Sequence, residues 1–297
     1  MKYSRRAILW GALAVVGFFA AVYHYHDHTL ISSEPANNVV KAENAISSNN
    51  DVSKATDVVT RNIVLHPDSS WKLSSPLALS IDALFVMARS DDNEARYILA
   101  RNLEYCYFSA KSEVEYEGKR QQALSFSDAD SAITRIDLRY RYCADIKPSA
   151  YDAFFSHLEA SAAGGFTLAQ EHYGALYANL YMKVQGFSDL KRDDYIAKRD
   201  AFEKRKVEFL DHAMRSGSIN AMARLSQHAS QQLGSYGLVE SYAINNTIMQ
   251  LTDDNTVFNR YAWLNEKLEQ RLTQTEVLDA LAQSQALIAT INNSPTL

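Results

Sequence analysis

Apolar residues along this chain recur at helical rather than strand spacing. Past about residue 70, runs such as Ile81, Leu84 and Met87, or Val207, Leu210 and Ala213, place an apolar side chain every three or four positions. That interval puts the side chains on one face of a helix. No run alternates apolar and polar between hairpin dipeptides, so strands are not expected in number. Helix punctuation agrees. Ser75-Pro76 and Lys147-Pro148 set a proline at the first position of a helix. Thr273 and Glu276 have capping-box spacing ahead of Val277, Leu281, Ser284 and Ile288.

The first residues differ from the rest. Residues 1–6 carry Lys2, Arg5 and Arg6, and residues 7–23 are seventeen uncharged, mostly apolar positions. At about 1.5 Å per residue the segment is roughly 26 Å of helix, the lower limit for a membrane span. Cleavage as a signal peptide would set Phe18 or Phe19 at the −3 position, where a small residue is needed. An uncleaved signal-anchor is therefore preferred to a cleaved signal or a buried helix. Its basic flank is cytoplasmic, which exports the remainder. The expected setting is a single pass through a bacterial inner membrane, with the C-terminal domain in the periplasm. Residues 24–70 are rich in Asn, Ser and Asp and read as a flexible juxtamembrane linker, leaving 71–297 as the folded domain.

Three segments of that domain align without gaps. They run Ile81, Leu84, Met87, Asp91, Ala95, Leu99, Leu103; Phe155, Leu158, Ser161, Gly165, Ala169, Tyr173, Tyr177; and Val207, Leu210, Ala213, Gly217, Ala221, Leu225, Ala229. Each reads as an apolar helix face, a turn residue, a small residue four positions on, then a second apolar face. Asp91, Gly165 and Gly217 would end the first helix, and the alanine lets the second pack closely on it. The turns lie 74 and 52 residues apart. Helix-pair repeats have a period of about 34, so the first gap leaves room for a degenerate unit. Leu124, Asp128, Ala132, Ile136 and Tyr140 fit its register weakly. The second gap places an insertion in the charged stretch 183–200.

Leu210-Asp-His-Ala-Met-Arg-Ser-Gly217-Ser-Ile-Asn-Ala221-Met-Ala-Arg-Leu225 resembles a Sel1-like repeat, a variant of the tetratricopeptide helix pair. Phe258 to Leu268, with Tyr261-Ala-Trp-Leu264, is similar to the start of another unit, and the resemblance is strongest over 207–229 and 258–290. It implies an all-α fold, a short irregular α-solenoid of helix-turn-helix repeats behind the N-terminal transmembrane helix. It also implies a protein-binding role, and it brings no catalytic residues.

Charge and chemistry narrow the function. Net charge is −5, so no overall positive field argues for nucleic acid. Nucleophile-elbow, phosphate-loop, dinucleotide-binding and zinc-protease motifs are missing, and no catalytic residue or cofactor is assigned. His24, His26 and His28 are a weak metal candidate, because alternate residues of an extended chain share a face. Arg135, Arg139 and Arg141 interleave with Tyr140 and Tyr142, a pattern able to stack on or bind an anionic partner. Seventeen tyrosines suit filling between helices as well as partner contacts. Cys106 and Cys143 are the only cysteines and lie in the exported part, which favours a disulfide over two reduced, buried thiols. The expected function is a membrane-anchored periplasmic protein–protein interaction module, an adaptor or scaffold without catalysis of its own. Its partners would be another envelope protein or peptide, and the inner membrane through residues 7–23. The alternative is a cell-envelope hydrolase or metal-binding protein using His and carboxylate groups.

Overall fold

The computed structural model describes residues 63–232 and 234–294. The expected membrane helix 7–23, the cytoplasmic tip, most of the linker, and His24, His26 and His28 lie outside the described residues. The described chain is all-helical: α1 (Ile81–Arg89), α2 (Asn93–Tyr107), α3 (Glu113–Ala123), α4 (Ala129–Tyr142), α5 (Phe154–Ala163), α6 (Thr167–Ala175), α7 (Ala178–Val184), α8 (Arg192–Arg215), α9 (Ile219–Ser230), α10 (Ser235–Leu251), α11 (Asn255–Glu269) and α12 (Gln274–Asn293). Among the described residues no strand occurs, only an isolated antiparallel bridge between Leu65 and Leu73. None of these helices is long and apolar enough to cross a membrane.

The three aligned turns share one backbone geometry. Asp91, Gly165 and Gly217 are left-handed, with φ of 62°, 90° and 88°. The next residue, Asp92, Phe166 or Ser218, is extended and starts the second helix. At Gly165 and Gly217 the amide donates across the helix end, to the Ala162 and Met214 carbonyls, and the following amide reaches one residue further back, to the Ser161 and Ala213 carbonyls. Ala95, Ala169 and Ala221, four residues past the turn, are all buried. The aligned leucines of the first helices, Leu84, Leu158 and Leu210, are buried with them. Tyr177 is the exception, exposed because α6 ends at Ala175, before the apolar register completes.

Packing follows these units. α1 pairs with α2, α5 with α6 and α8 with α9; α2 packs on α5, α6 on α8, and α9 on α10. Gly174 allows the α6–α8 approach, since a Cβ there would stand 2.4 Å from the Leu210 side chain. The α3–α4 hairpin is therefore inserted between two units that already touch. Its turn departs from the pattern: Asp128 has φ of −112° and Leu124 is exposed. The weak register at Leu124–Tyr140 is thus not a fourth unit of the same kind. The second gap takes in α7, a loop and the first turns of α8. Ser75-Pro76 introduces a short 3-10 turn, Leu77–Leu79, and α1 starts only after Ser80. Pro148 does occupy the first turn of a 3-10 segment, and Thr273–Glu276 forms the complete capping box.

One apolar core runs from Leu73 to Phe209 and is rich in rings; Phe155, Tyr173 and Phe202 meet ring to ring in it, and half-buried Tyr181 packs on Phe155 and Phe202. Ile63 and Leu65 pack against it, so residues 63–70, expected in the linker, belong to the folded domain. Further cores join α8–α12. The Cys106 and Cys143 sulfurs are 2.00 Å apart, a disulfide that ties the end of α4 to α2.

Candidate interaction surface

The aligned second helices, α2, α6 and α9, bring together side chains that lie far apart in sequence. Three residues form a hydrogen-bonded chain between α2 and α6. His172 Nε2 stands 2.5 Å from Glu104 Oε2, and Arg101 Nη1 stands 3.1 Å from His172 Nδ1. Arginine only donates, so Nδ1 must accept; the proton is then on Nε2, which donates to the carboxylate. Arg101 Nε also lies 3.4 Å from Glu104. Burial, helped by the charges of Arg101 and Arg224, holds the His172 pKa below its ordinary value, although Glu104 opposes the shift. Burial would raise Glu104, but His172 and Arg101 outweigh it and keep the carboxyl below the usual range. The trio is thus a carboxylate and a guanidinium bridged by a neutral imidazole. Both ring nitrogens are engaged, so the imidazole can take a substrate proton or a metal only by breaking one of these bonds.

Aromatic rings extend the trio toward α4. The Arg101 guanidinium lies 4.7 Å over Trp71, and Trp71 is 5.8 Å from Tyr105. Two more cations meet on Tyr105, Lys72 Nζ at 5.1 Å and the Arg139 guanidinium at 4.5 Å from its centroid. Arg224 stands on α9, a helix that packs on α6, and its charge adds to the field at the imidazole. Arg224 also borders a cavity of about 190 Å³ that opens between α6, α8 and α9. Gly174, Val207 and Leu210 line it together with the polar side chains of Glu203, Lys206 and His228. Contacts therefore link cations and rings from Arg139 of α4 through Tyr105, Trp71 and Arg101 to His172 of α6, with Arg224 on the neighbouring α9.

The residues expected on a partner surface divide. Arg139 lies in this row. Arg135 is exposed and pairs with Asp128 at 3.1 Å, and Arg141 is exposed. Tyr140 stacks on Tyr116 at 4.3 Å and donates to Glu113 at 3.0 Å. Tyr142 belongs to the interior instead. Its hydroxyl donates to Asn102 Oδ1 and accepts the Leu73 amide at 3.0 Å, and burial pushes its pKa up to about 12. Of the other tyrosines, Tyr97 and Tyr173 are buried, and Tyr105, Tyr107 and Tyr181 half-buried. Lys72, Trp71, Arg101 and Arg224 were not singled out by the sequence, because their contacts join elements up to 71 residues apart, as at Arg101–His172.

Among the described residues no group of three or more His, Cys, Asp or Glu side chains is placed to hold a metal ion. No protein-family model, curated protein or solved structure matches this chain.

Proposed function

We propose that the chain is a membrane-anchored periplasmic interaction module, a short irregular α-solenoid of Sel1-like helix pairs that holds another envelope protein or peptide. In this reading residues 7–23 form a single-pass anchor in a bacterial inner membrane. The observation that carries it is the row of cations and aromatic rings on consecutive helix pairs, a surface suited to recognition. Units that contact only their neighbours present extended faces of this kind, and rings with arginine supply strong interface contacts. The locked hydrogen bonds of His172 favour binding over acid–base work at this place.

The test is site-specific photo-cross-linking of the full chain in the bacterial envelope, with the probe at Arg224 or Lys72. A discrete cross-linked envelope protein, together with digestion of the domain by protease added to spheroplasts, is the expected result. Protection of the domain in intact spheroplasts would contradict the periplasmic assignment, and no cross-linked species from either position would contradict the module.

A further inference from the structure

The row has an unbalanced charge. The chain as a whole is acidic, with a net charge of −5. Along the row Glu104 is shared by His172 and Arg101, and Glu203 pairs with Lys206 at 3.0 Å. Glu171 of α6 accepts from Ser218 and Asn220 of the α9 end. Lys72, Arg139 and Arg224 form no ion pair among the described residues, although thirteen ion pairs occur among those residues. Arg139 is further short of partners: its Nε is buried without a hydrogen-bond acceptor. Ring contacts at Lys72 and Arg139 offset only part of this.

We propose that this row is the docking site for an acidic, extended peptide segment of a partner protein, its carboxylates meeting Lys72, Arg139 and Arg224. The proposal rests on the interaction-module reading and names the partner's chemistry. A carboxylate matches the fork of an arginine and accepts two parallel hydrogen bonds. The cations are spread over α4, the segment before α1, and α9, so an occupant must run across the helices rather than along one. An extended chain does this, presenting every second side chain to the same face. The half-buried Trp71 and Tyr105 rings carry Arg101, Lys72 and Arg139 on them and so fix where these cations stand. An anionic lipid surface fits less well. A flat membrane meets the field of a whole protein face, and this protein is net negative, whereas a single strand meets the local field within a screening length of about 8 Å.

The test uses the full chain in non-ionic detergent. Fluorescence anisotropy follows a fluorescein-labelled twelve-residue peptide of alternating Glu and Gly, beside the same peptide with Gln for Glu. Binding of the Glu peptide alone is expected, weakening with added salt. The Lys72→Gln/Arg224→Gln double variant should bind about tenfold more weakly, the loss of two surface charge pairs, while its helical circular dichroism is unchanged. Arg224→Gln alone, at an exposed position, gives a smaller loss in the same direction and covers the case in which the double variant is misfolded. Equal binding of both peptides, or unchanged affinity in the variants, would overturn the proposal. So would binding confined to phosphatidylglycerol–phosphatidylcholine vesicles. Failure of the Glu peptide while the cross-link at Arg224 still forms removes the acidic chemistry and leaves the module; failure of both removes both.

Discussion

The stacked helix pairs and the inserted α3–α4 hairpin are both helical, but they are held by different forces. In the pairs, Leu84, Leu99, Leu103, Leu158 and Met222 are fully buried. In the hairpin several large apolar side chains face out: Val114, Leu124 and Leu138 are 84%, 58% and 56% exposed. Ala123 and Ala132 are what it buries along its length, and Tyr142 and Cys143 anchor its base. Its two helices are joined instead by the Tyr116–Tyr140 stack and by Tyr116 donating to Asp137 at 2.8 Å. The pairs are built by apolar burial, which scales with area removed from water. The hairpin is built by partly exposed polar contacts worth about 1 kcal/mol each, and by one covalent bond.

The comparison breaks most sharply at matched leucines. Leu158→Ala should cost about 2–5 kcal/mol, because a fully buried leucine leaves a cavity. Leu138→Ala, at a half-exposed position of the hairpin, should stay within about 0.5 kcal/mol. Urea unfolding of both variants checks this, and similar costs would deny the difference.

Loss of the disulfide comes next. Cys106→Ala/Cys143→Ala should destabilise by about 2–4 kcal/mol through the freed loop of the unfolded chain. Amide exchange should quicken in α3 and α4 first and leave α5–α9 protected. Uniform quickening would make the bond a general staple of the domain.

Close approach between units gives a third contrast. Gly174→Ala should cost about 1–3 kcal/mol, since the new methyl meets Leu210 between α6 and α8. Gly118→Ala in α3, where a Cβ meets nothing within 4 Å, should stabilise by about 0.5–1 kcal/mol through helix propensity. Thermal unfolding of the two variants should therefore shift in opposite directions.

The smallest effect concerns pH and the seam between the first two units. His172 faces Glu104 and Arg101 from α2 and Arg224 from α9, and His157 faces Arg96 and Arg89. Burial, with these guanidiniums, lowers both imidazoles below the ordinary 6.5. The unfolded chain then takes up protons first as pH falls. The stability they contribute is complete above pH 6.5 and declines below it, toward each lowered folded value. Urea midpoints should fall between pH 7.5 and 5.5, and fall less in His172→Gln. Parallel profiles would show that His172 does not titrate with folding.

Much of the stack was legible because its turns demand particular residues. A left-handed residue at 91, 165 and 217 favours Gly or Asp, and close helix contact favours Ala four positions later; both are local requirements that leave a mark at fixed spacing. The hairpin was harder to read. Leu124, Asp128 and Ala132 copy the spacing of a unit, but nothing in that spacing tells whether a neighbour covers the face. The Tyr142 assignment failed for a related reason. Alternating Arg and Tyr describes an exposed helix, whereas this hydroxyl satisfies Asn102 and the Leu73 amide, polar groups from elsewhere in the chain. Apart from Arg139, the cation–aromatic row was invisible for the same cause, since its contacts are long-range and carry no motif.

The most direct test of the insertion removes the hairpin. The Cα atoms of Cys106 and Cys143 are 5.5 Å apart, so a four-residue Gly-Ser linker, reaching about 13 Å, can replace residues 111–140 and leave the disulfide and Tyr142 in place. Urea unfolding of this variant, followed by far- and near-ultraviolet circular dichroism, is predicted to give coincident, cooperative transitions, with helix lost only in proportion to α3 and α4. A variant with helical signal but no cooperative near-ultraviolet transition would contradict the account, because the stacked pairs would then depend on the hairpin for their packing.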